Sequence, residues 1–355
     1  MGRCLTADEK EMEILLFDGV LRDRKRNMTI GNDEFLSMQA IVVDHLVRRF
    51  GSLVAVNDVS FQIPEGEIFG YLGPNGAGKT TTIRILTGIS KPTSGHASIF
   101  GHDIQQETIR ARRYMGIVPE TSNIYDDLSA WKNMIFSGEL YGVKSPERAE
   151  RARNLLSIFG LYERRADKVR GFSKGMKRRL TIAMGLINDP KLLFLDEPTS
   201  GLDVQSNLII RRVVRDLHDK GVTVFLTTHN IEEANVMCER VAIINKGIIA
   251  AIDRPEKLKA TIQSVQSIEI GFEHVVEGIA MALEGIPLVN EVRREGDKIW
   301  LYTANPSEVL PAVMEYFRSN HLKPLSINTH GPSLEDVFIK LTGLEEPVPP
   351  VMGAK

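Results

Sequence analysis

The run Gly73-Pro74-Asn75-Gly76-Ala77-Gly78-Lys79-Thr80 satisfies the pattern G-x-x-x-x-G-K-[ST] at every specified position. Its chemistry is phosphate binding. Glycines let the backbone turn tightly, so that successive N–H groups converge on phosphate oxygens at the N-terminus of the following helix. Lys79 has the reach to place a point charge on the β- and γ-phosphates, and the Thr80 hydroxyl suits Mg²⁺. Thr81, next in the chain, completes the nucleotide-binding candidates. The flanks agree: Glu67 to Leu72 (EIFGYL) predicts a short apolar strand, and Thr81 to Leu86 (TTIRIL) continues at helical spacing.

A second element, LLFLDEP at residues 192 to 198, is an apolar run of the kind buried in a parallel sheet, ending in two acids. Asp196 is placed to hold Mg²⁺, commonly through water, and Glu197 to polarise an attacking water. A turn-forming acid pair is the structural alternative. Coming after a complete phosphate loop, the pair points to nucleoside triphosphate hydrolysis.

Between these elements lies FSKGMKRRL at 172 to 180, which resembles the signature of the ATP-binding-cassette (ABC) ATPases. The resemblance spans about Gln39 to Lys259. It implies that Ser173, Lys174, Gly175 and Met176 open a helix facing the ATP held by a second copy, as a helix N-terminus can. The usual LSGGQ is FSKGM here, so Phe172, Lys174 and Met176 depart from the pattern. Lys174 fits a solvated surface lysine better than a phosphate ligand. By the same resemblance, Ser200, Gly201, Leu202 and Asp203 (SGLD) form the D-loop. His229 in TTHN would contact the γ-phosphate, and Phe50 would stack on adenine, with a core phenylalanine as its alternative. Glu120, in GIVPE, replaces the family's Mg²⁺-ligating glutamine; a carboxylate is also a hard oxygen ligand. ATP and Mg²⁺ are the implied cofactors.

The elements that must position these residues read as a two-domain chain. At 355 residues and 39.7 kDa there is ample core-forming content. From residue 39 to 260 strand-like runs alternate with helical patterns, the sign of an α/β fold with parallel strands. Gln39 to Val47 and Leu53 to Ile63 alternate apolar and polar residues around a turn at Arg49 to Ser52, which predicts an antiparallel β subdomain. Charged helical segments fill about 108 to 170, a helical insertion into the P-loop core. Residues 261 to 345 follow the order βαββαβ, the split arrangement of a ferredoxin-like α+β domain, with a regulatory or dimerising role expected. The first 38 residues, with the basic run Arg22 to Arg26 (RDRKR), are expected to be a poorly ordered leader without a secretory core, and Met38 is a candidate start. The proline-rich tail after 345 is expected to be disordered.

Bulk properties narrow the function. A net charge of −2 and a pI near 6.5 supply no reason to expect a nucleic-acid partner. Cys4 and Cys238 are the two cysteines and show no metal-ligand spacing. No apolar run approaches the roughly 18 to 20 residues that span a bilayer, so any membrane passage belongs to another polypeptide. The resemblance therefore implies an ATPase subunit that closes as a head-to-tail homodimer and drives a separately encoded permease from the cytoplasmic face of the membrane. The ending PSLEDVFIKLTG at 332 to 343 resembles drug-resistance and antibiotic exporters and tilts the direction from import to export. A soluble ABC-type ATPase of translation or DNA repair is the alternative, and a non-hydrolysing scaffold is a third. Tandem cassettes or sustained heptads would favour the soluble enzyme, and this chain has one phosphate loop.

Overall fold

A computed structural model describes residues 39–261, 266–273 and 278–343. The expected leader, the expected tail and the first turn of the helix expected from His274 lie outside these residues. The chain divides into two compact units between Ile249 and Ala250, ahead of the boundary expected after residue 260.

The first unit carries two sheets. β1 (Gln39–Phe50) and β2 (Leu53–Pro64) form an antiparallel hairpin, and β1 also pairs with β4 (Ser94–Ile99), which β5 (His102–Asp103) extends. The second sheet has the order β10-β9-β3-β8-β7-β6, built from β3 (Ile68–Leu72), β6 (Met115–Val118), β7 (Leu192–Asp196), β8 (Thr223–Thr228), β9 (Arg240–Asn245) and β10 (Ile248–Asp253). Strands β9, β3, β8, β7 and β6 run parallel. Every residue of β3, β7 and β8 is buried, which explains why these strands are continuous apolar runs rather than alternating ones. The two sheets share an aromatic core. Phe61 of β2 lies 5.5 Å from Phe69 and 6.1 Å from Phe225, which itself touches Tyr71 and Phe194. Each such pair adds about 0.5–1.5 kcal/mol to the area it buries.

Strand β6 corrects one expectation. It falls inside the segment expected to be a helical insertion, yet it pairs with β7 from Met115↔Leu192 to Val118↔Leu195. Four residues of MGIV, flanked by charged helical sequence, carry too short a periodic signal to stand out. The helices of that region are α2 (Thr108–Arg112), α3 (Ala130–Leu140) and α4 (Ser145–Ile158), and both α3 and α4 pack against α5 (Lys174–Gly185). α1 (Lys79–Leu86) follows the phosphate loop, while α6 (Val204–His218) and α7 (Ile231–Met237) follow β7 and β8.

The second unit contains α8 (Pro255–Ala260), β11 (Gln266–Gly271), α9 (Ile279–Glu284), β12 (Glu291–Glu295), β13 (Lys298–Thr303), α10 (Pro306–Ser319), β14 (Ser326–His330) and α11 (Leu334–Thr342). Its four strands form an antiparallel sheet of order β12-β13-β11-β14. Ile268, Ile270, Ile299 and Leu301 on one face of that sheet meet Leu283 of α9 and Val313 and Phe317 of α10. The unit thus has a hydrophobic core of its own.

Candidate active site

Strand register assembles the site. In the parallel sheet Leu72 pairs with Thr228, and Asp196 pairs with Thr227. The three segments that continue beyond these strands therefore leave from one edge: the phosphate loop after β3, Glu197 after β7 and His229 after β8. Ligands of open α/β sheets bind at this carboxyl edge. A hydrogen bond from Gly73 N to Thr228 O (3.2 Å) ties the first loop to the last.

The phosphate loop turns into α1 at Gly78, which has φ +108°. A Cβ there would overlap the Ala55 carbonyl oxygen of β2, so only glycine fits. Ala55 lies two residues beyond Leu53, the partner of Phe50 in the β1–β2 hairpin, and this hairpin brings Phe50 toward the loop. The Phe50 ring is half exposed. The Arg48 guanidinium lies 4.4 Å from its centroid, held by a 2.7 Å bond to Lys91 O. Pro74 and Thr81 are partly exposed, and Asn75 and Gly76 are exposed.

Lys79 is buried. Its ammonium donates to Gly73 O at 2.7 Å and Pro74 O at 3.3 Å, and it stands 3.2 Å from Glu197 Oε1. The other carboxylate oxygen, Oε2, accepts from His229 Nδ1 at 2.8 Å. His229 is half exposed while Glu197 is buried. Glu197 adopts φ +50°, an uncommon conformation for any residue that carries a Cβ. Its N–H donates to both the carbonyl (3.1 Å) and the hydroxyl (3.2 Å) of Thr227. Neighbouring Asp196 accepts from the Thr227 hydroxyl and, at 3.4 Å, from Thr80 Oγ1. Thr80 and Asp196 thus present hard oxygen donors side by side, the chemistry that Mg²⁺ requires.

The signature residues sit on a different set of contacts. Ser173 caps α5, its hydroxyl accepting from Met176 N at 3.2 Å. No hydrogen bond or ion pair among the described residues joins Ser173 to the phosphate loop. Gly175 is buried against the D-loop: a Cβ would press on Ser206 Oγ and Asp203 Oδ2. Asp203 caps α6 by accepting from Ser206 N (2.7 Å) and Ser206 Oγ (2.9 Å), and these bonds hold its carboxyl below the usual range. Gly201 has φ +63°, with the exposed Lys174 side chain lying against it. Ser200 and Leu202 line a cleft shared with Glu120, Lys174, Arg178 and Glu197. Glu120 is exposed within that cleft.

Two buried residues have no counterpart among the sequence candidates. Arg178 of α5 donates to the carbonyl oxygens of Pro119, Glu120 (3.2 Å), Asp196 (2.6 Å) and Pro198 (3.0 Å). Its position three residues after Gly175 and four before Ile182, on the buried helical face, was the available signal. Glu233 of α7 accepts from Thr199 Oγ1 at 2.6 Å, and burial pushes its carboxyl up.

The comparisons with known proteins agree with this geometry. Residues 56–200 match the sequence family described as ABC transporter. The chain is 36% identical to the linearmycin resistance ATP-binding protein LnrL of Bacillus subtilis, over 84% of this chain and 97% of that one. It is 40% identical to the Nod factor export ATP-binding protein I of Cupriavidus metallidurans, over 87% and 99% of the two chains. Among solved structures, the ATP-binding subunit of an ABC transporter aligns with a TM-score of 0.59 at 28% identity, covering 62% of this chain and 92% of that one. The dimeric post-hydrolysis state of the ATP-binding cassette MJ0796, bound to ADP and Pi, aligns with a TM-score of 0.56 at 28% identity, covering 60% and 98%.

Proposed function

Because the chain belongs to the ATP-binding subunits of ABC transporters, we propose that it hydrolyses ATP at this sheet edge to drive a separately encoded membrane permease. Export is the direction, and the cytoplasmic face of the membrane is the place of action. Relatives named for resistance and for export support that direction over a role in translation or DNA repair. No helix among the described residues is long and apolar enough to cross a membrane, which is in keeping with a partner that supplies the passage.

The observation that carries the proposal is the convergence of Lys79, Glu197 and His229, with contacts of 3.2 and 2.8 Å. The roles follow from their chemistry. Backbone N–H groups of residues 73–80 and the Lys79 ammonium bind the β- and γ-phosphates, and Phe50 offers a π face to adenine. Glu197 orients and polarises the attacking water, with His229 holding the carboxylate and presenting its free nitrogen toward the γ-phosphate. Thr80 and Asp196, with Glu120 as a further oxygen donor, would hold Mg²⁺, which would supply neutralisation of phosphate charge.

Ser173 to Met176 and the D-loop Ser200 to Asp203 act on the ATP of a second copy. Two features support this: Ser173 is an exposed helix cap, and it has no bond to its own chain's phosphate loop. ATP is thus the ligand that favours the closed dimer, and hydrolysis releases it. The second unit acts in regulation or dimerisation.

Replacement of Glu197 by Gln tests the assignment. The variant keeps the shape of the site and is expected to bind ATP normally while turnover falls by about 10²- to 10⁴-fold, the usual worth of a general base. An ATP-bound dimer should accumulate in size-exclusion chromatography. Steady turnover at the wild-type rate would remove Glu197 from the role.

A further inference from the structure

Glu197 is held in a costly conformation, and what holds it lies outside the catalytic set. A glutamate at φ +50° is strained and persists only where its surroundings over-determine the backbone. The carbonyl oxygens on either side of it, of Asp196 and Pro198, both accept from a single guanidinium: Arg178 Nη2 at 2.6 Å and Nε at 3.0 Å. The remaining nitrogen of the fork, Nη1, binds Pro119 O and Glu120 O. One side chain of the signature helix α5 therefore clamps the turn that carries Glu197 and the loop that carries Glu120.

Burial makes this arrangement deliberate. Arg178 is 5% exposed, and loss of water pushes its guanidinium down to about 10 against the opposing pull of Asp196, Glu120, Glu233 and Glu197. A buried cation is costly unless its donors are satisfied. Here the satisfaction comes from four main-chain oxygens in two separate segments, a demand that a planar five-donor fork meets and a tetrahedral ammonium does not.

We propose that Arg178 is a positioning residue for hydrolysis: it fixes the Glu197 carboxylate and the Glu120 loop in register with the signature helix that bears Ser173. Through it, displacement of the signature helix against a partner's ATP reaches the water-polarising carboxylate of the chain's own site. The inference rests on the assignment of Glu197 made above.

The test compares full-length Arg178→Lys, Arg178→Gln and Glu197→Gln with the parent chain, measuring ATP turnover, equilibrium ATP binding and melting temperature on each. Arg178→Lys keeps the cation and loses the fork. It is expected to lower kcat by about 10- to 100-fold, as a displacement of about 1 Å of a reacting group can. ATP half-saturation should stay within about twofold, because binding common to ground and transition states is untouched. Arg178→Gln should lower kcat at least as far. Wild-type kcat in Arg178→Lys overturns the inference, and so does a loss of kcat that only tracks losses of ATP binding and melting temperature. An inactive Glu197→Gln beside a fully active Arg178→Lys overturns the clamp alone, whereas an active Glu197→Gln overturns the assignment on which it rests.

Discussion

Glu120 shows how one atom-level difference can change a site without changing its frame. Its carbonyl oxygen is held by Arg178, while its side chain is exposed in the cleft that Glu197 also lines. A substitution there leaves the backbone anchor in place and alters only the group presented in the cleft. A carboxylate brings a full charge to a hard cation and an amide does not, and ligand charge is one of the terms that sets affinity. Glu120→Gln is therefore expected to bind ATP as the parent does and to need about 3- to 10-fold more Mg²⁺ for half-maximal turnover. Superimposable Mg²⁺ titrations of the two ATPases would show that the carboxylate does not serve the metal. The residues of the site were unequally visible in the sequence for a physical reason. Lys79, Thr80, Asp196 and Glu197 lie in contiguous runs whose local spacing encodes their roles. Arg178 and Glu233 act by burial against segments distant in sequence, and a basic residue within KRR or an acid within IEEAN carries the pattern of a solvated helix face.

Helices α5 and α6 meet at a contact that neither one displays alone. Gly175, in the first turn of α5, is buried against the Asp203–Ser206 cap of α6. Glycine in a helix costs about 0.8–1.0 kcal/mol relative to alanine, so Gly175→Ala would stabilise α5 if space allowed. The added methyl would instead lie 3.0 Å from Ser206 Cβ and press harder still on Ser206 Oγ, a short side chain on a buried residue that cannot swing away. Overpacking of this kind typically costs about 1–3 kcal/mol, so the clash exceeds the propensity gain. Gly175→Ala is expected to lower the melting temperature and to reduce turnover by shifting the D-loop against the signature turn. Adding Ser206→Ala, which removes the hydroxyl, should recover part of the melting temperature. A Gly175→Ala variant more stable than the parent would mean that the two helix starts do not pack as described. Resemblance to the family marked Gly175, but the reason it must be glycine comes from a residue 31 positions away. For the same reason strand β6 was hidden: its identity lies in its pairing with β7, and four residues among charged helices do not announce it.

At the scale of the whole chain, the two units differ in how they hold together, and this decides where they can be separated. The division falls inside β10 (Ile248–Asp253), which completes the edge of the parallel sheet beside β9. α8, four residues farther along in sequence from the middle of that strand and expected to close the ATPase unit, packs instead against α11 of the second unit. Leu258 of α8 and Leu334, Val337 and Phe338 of α11 are all buried. A cut after Ala260 would therefore strip the cover from Leu258 and leave an apolar stub, whereas a cut after Asp253 keeps β10 whole and removes α8 with its partner. The second unit's core of Ile268, Ile270, Ile299, Leu301, Val313 and Phe317 leaves with it intact. A chain ending at Asp253 is expected to fold, to bind ATP and to retain hydrolysis, since Lys79, Asp196, Glu197 and His229 all lie within the first unit. Its deficit should appear in assembly. In the Glu197→Gln background, which favours the ATP-bound dimer, sedimentation should show a weaker dimer for the shortened chain than for the full one. Equal dimer affinity together with unchanged turnover would leave the second unit without the dimerising and regulatory role proposed for it.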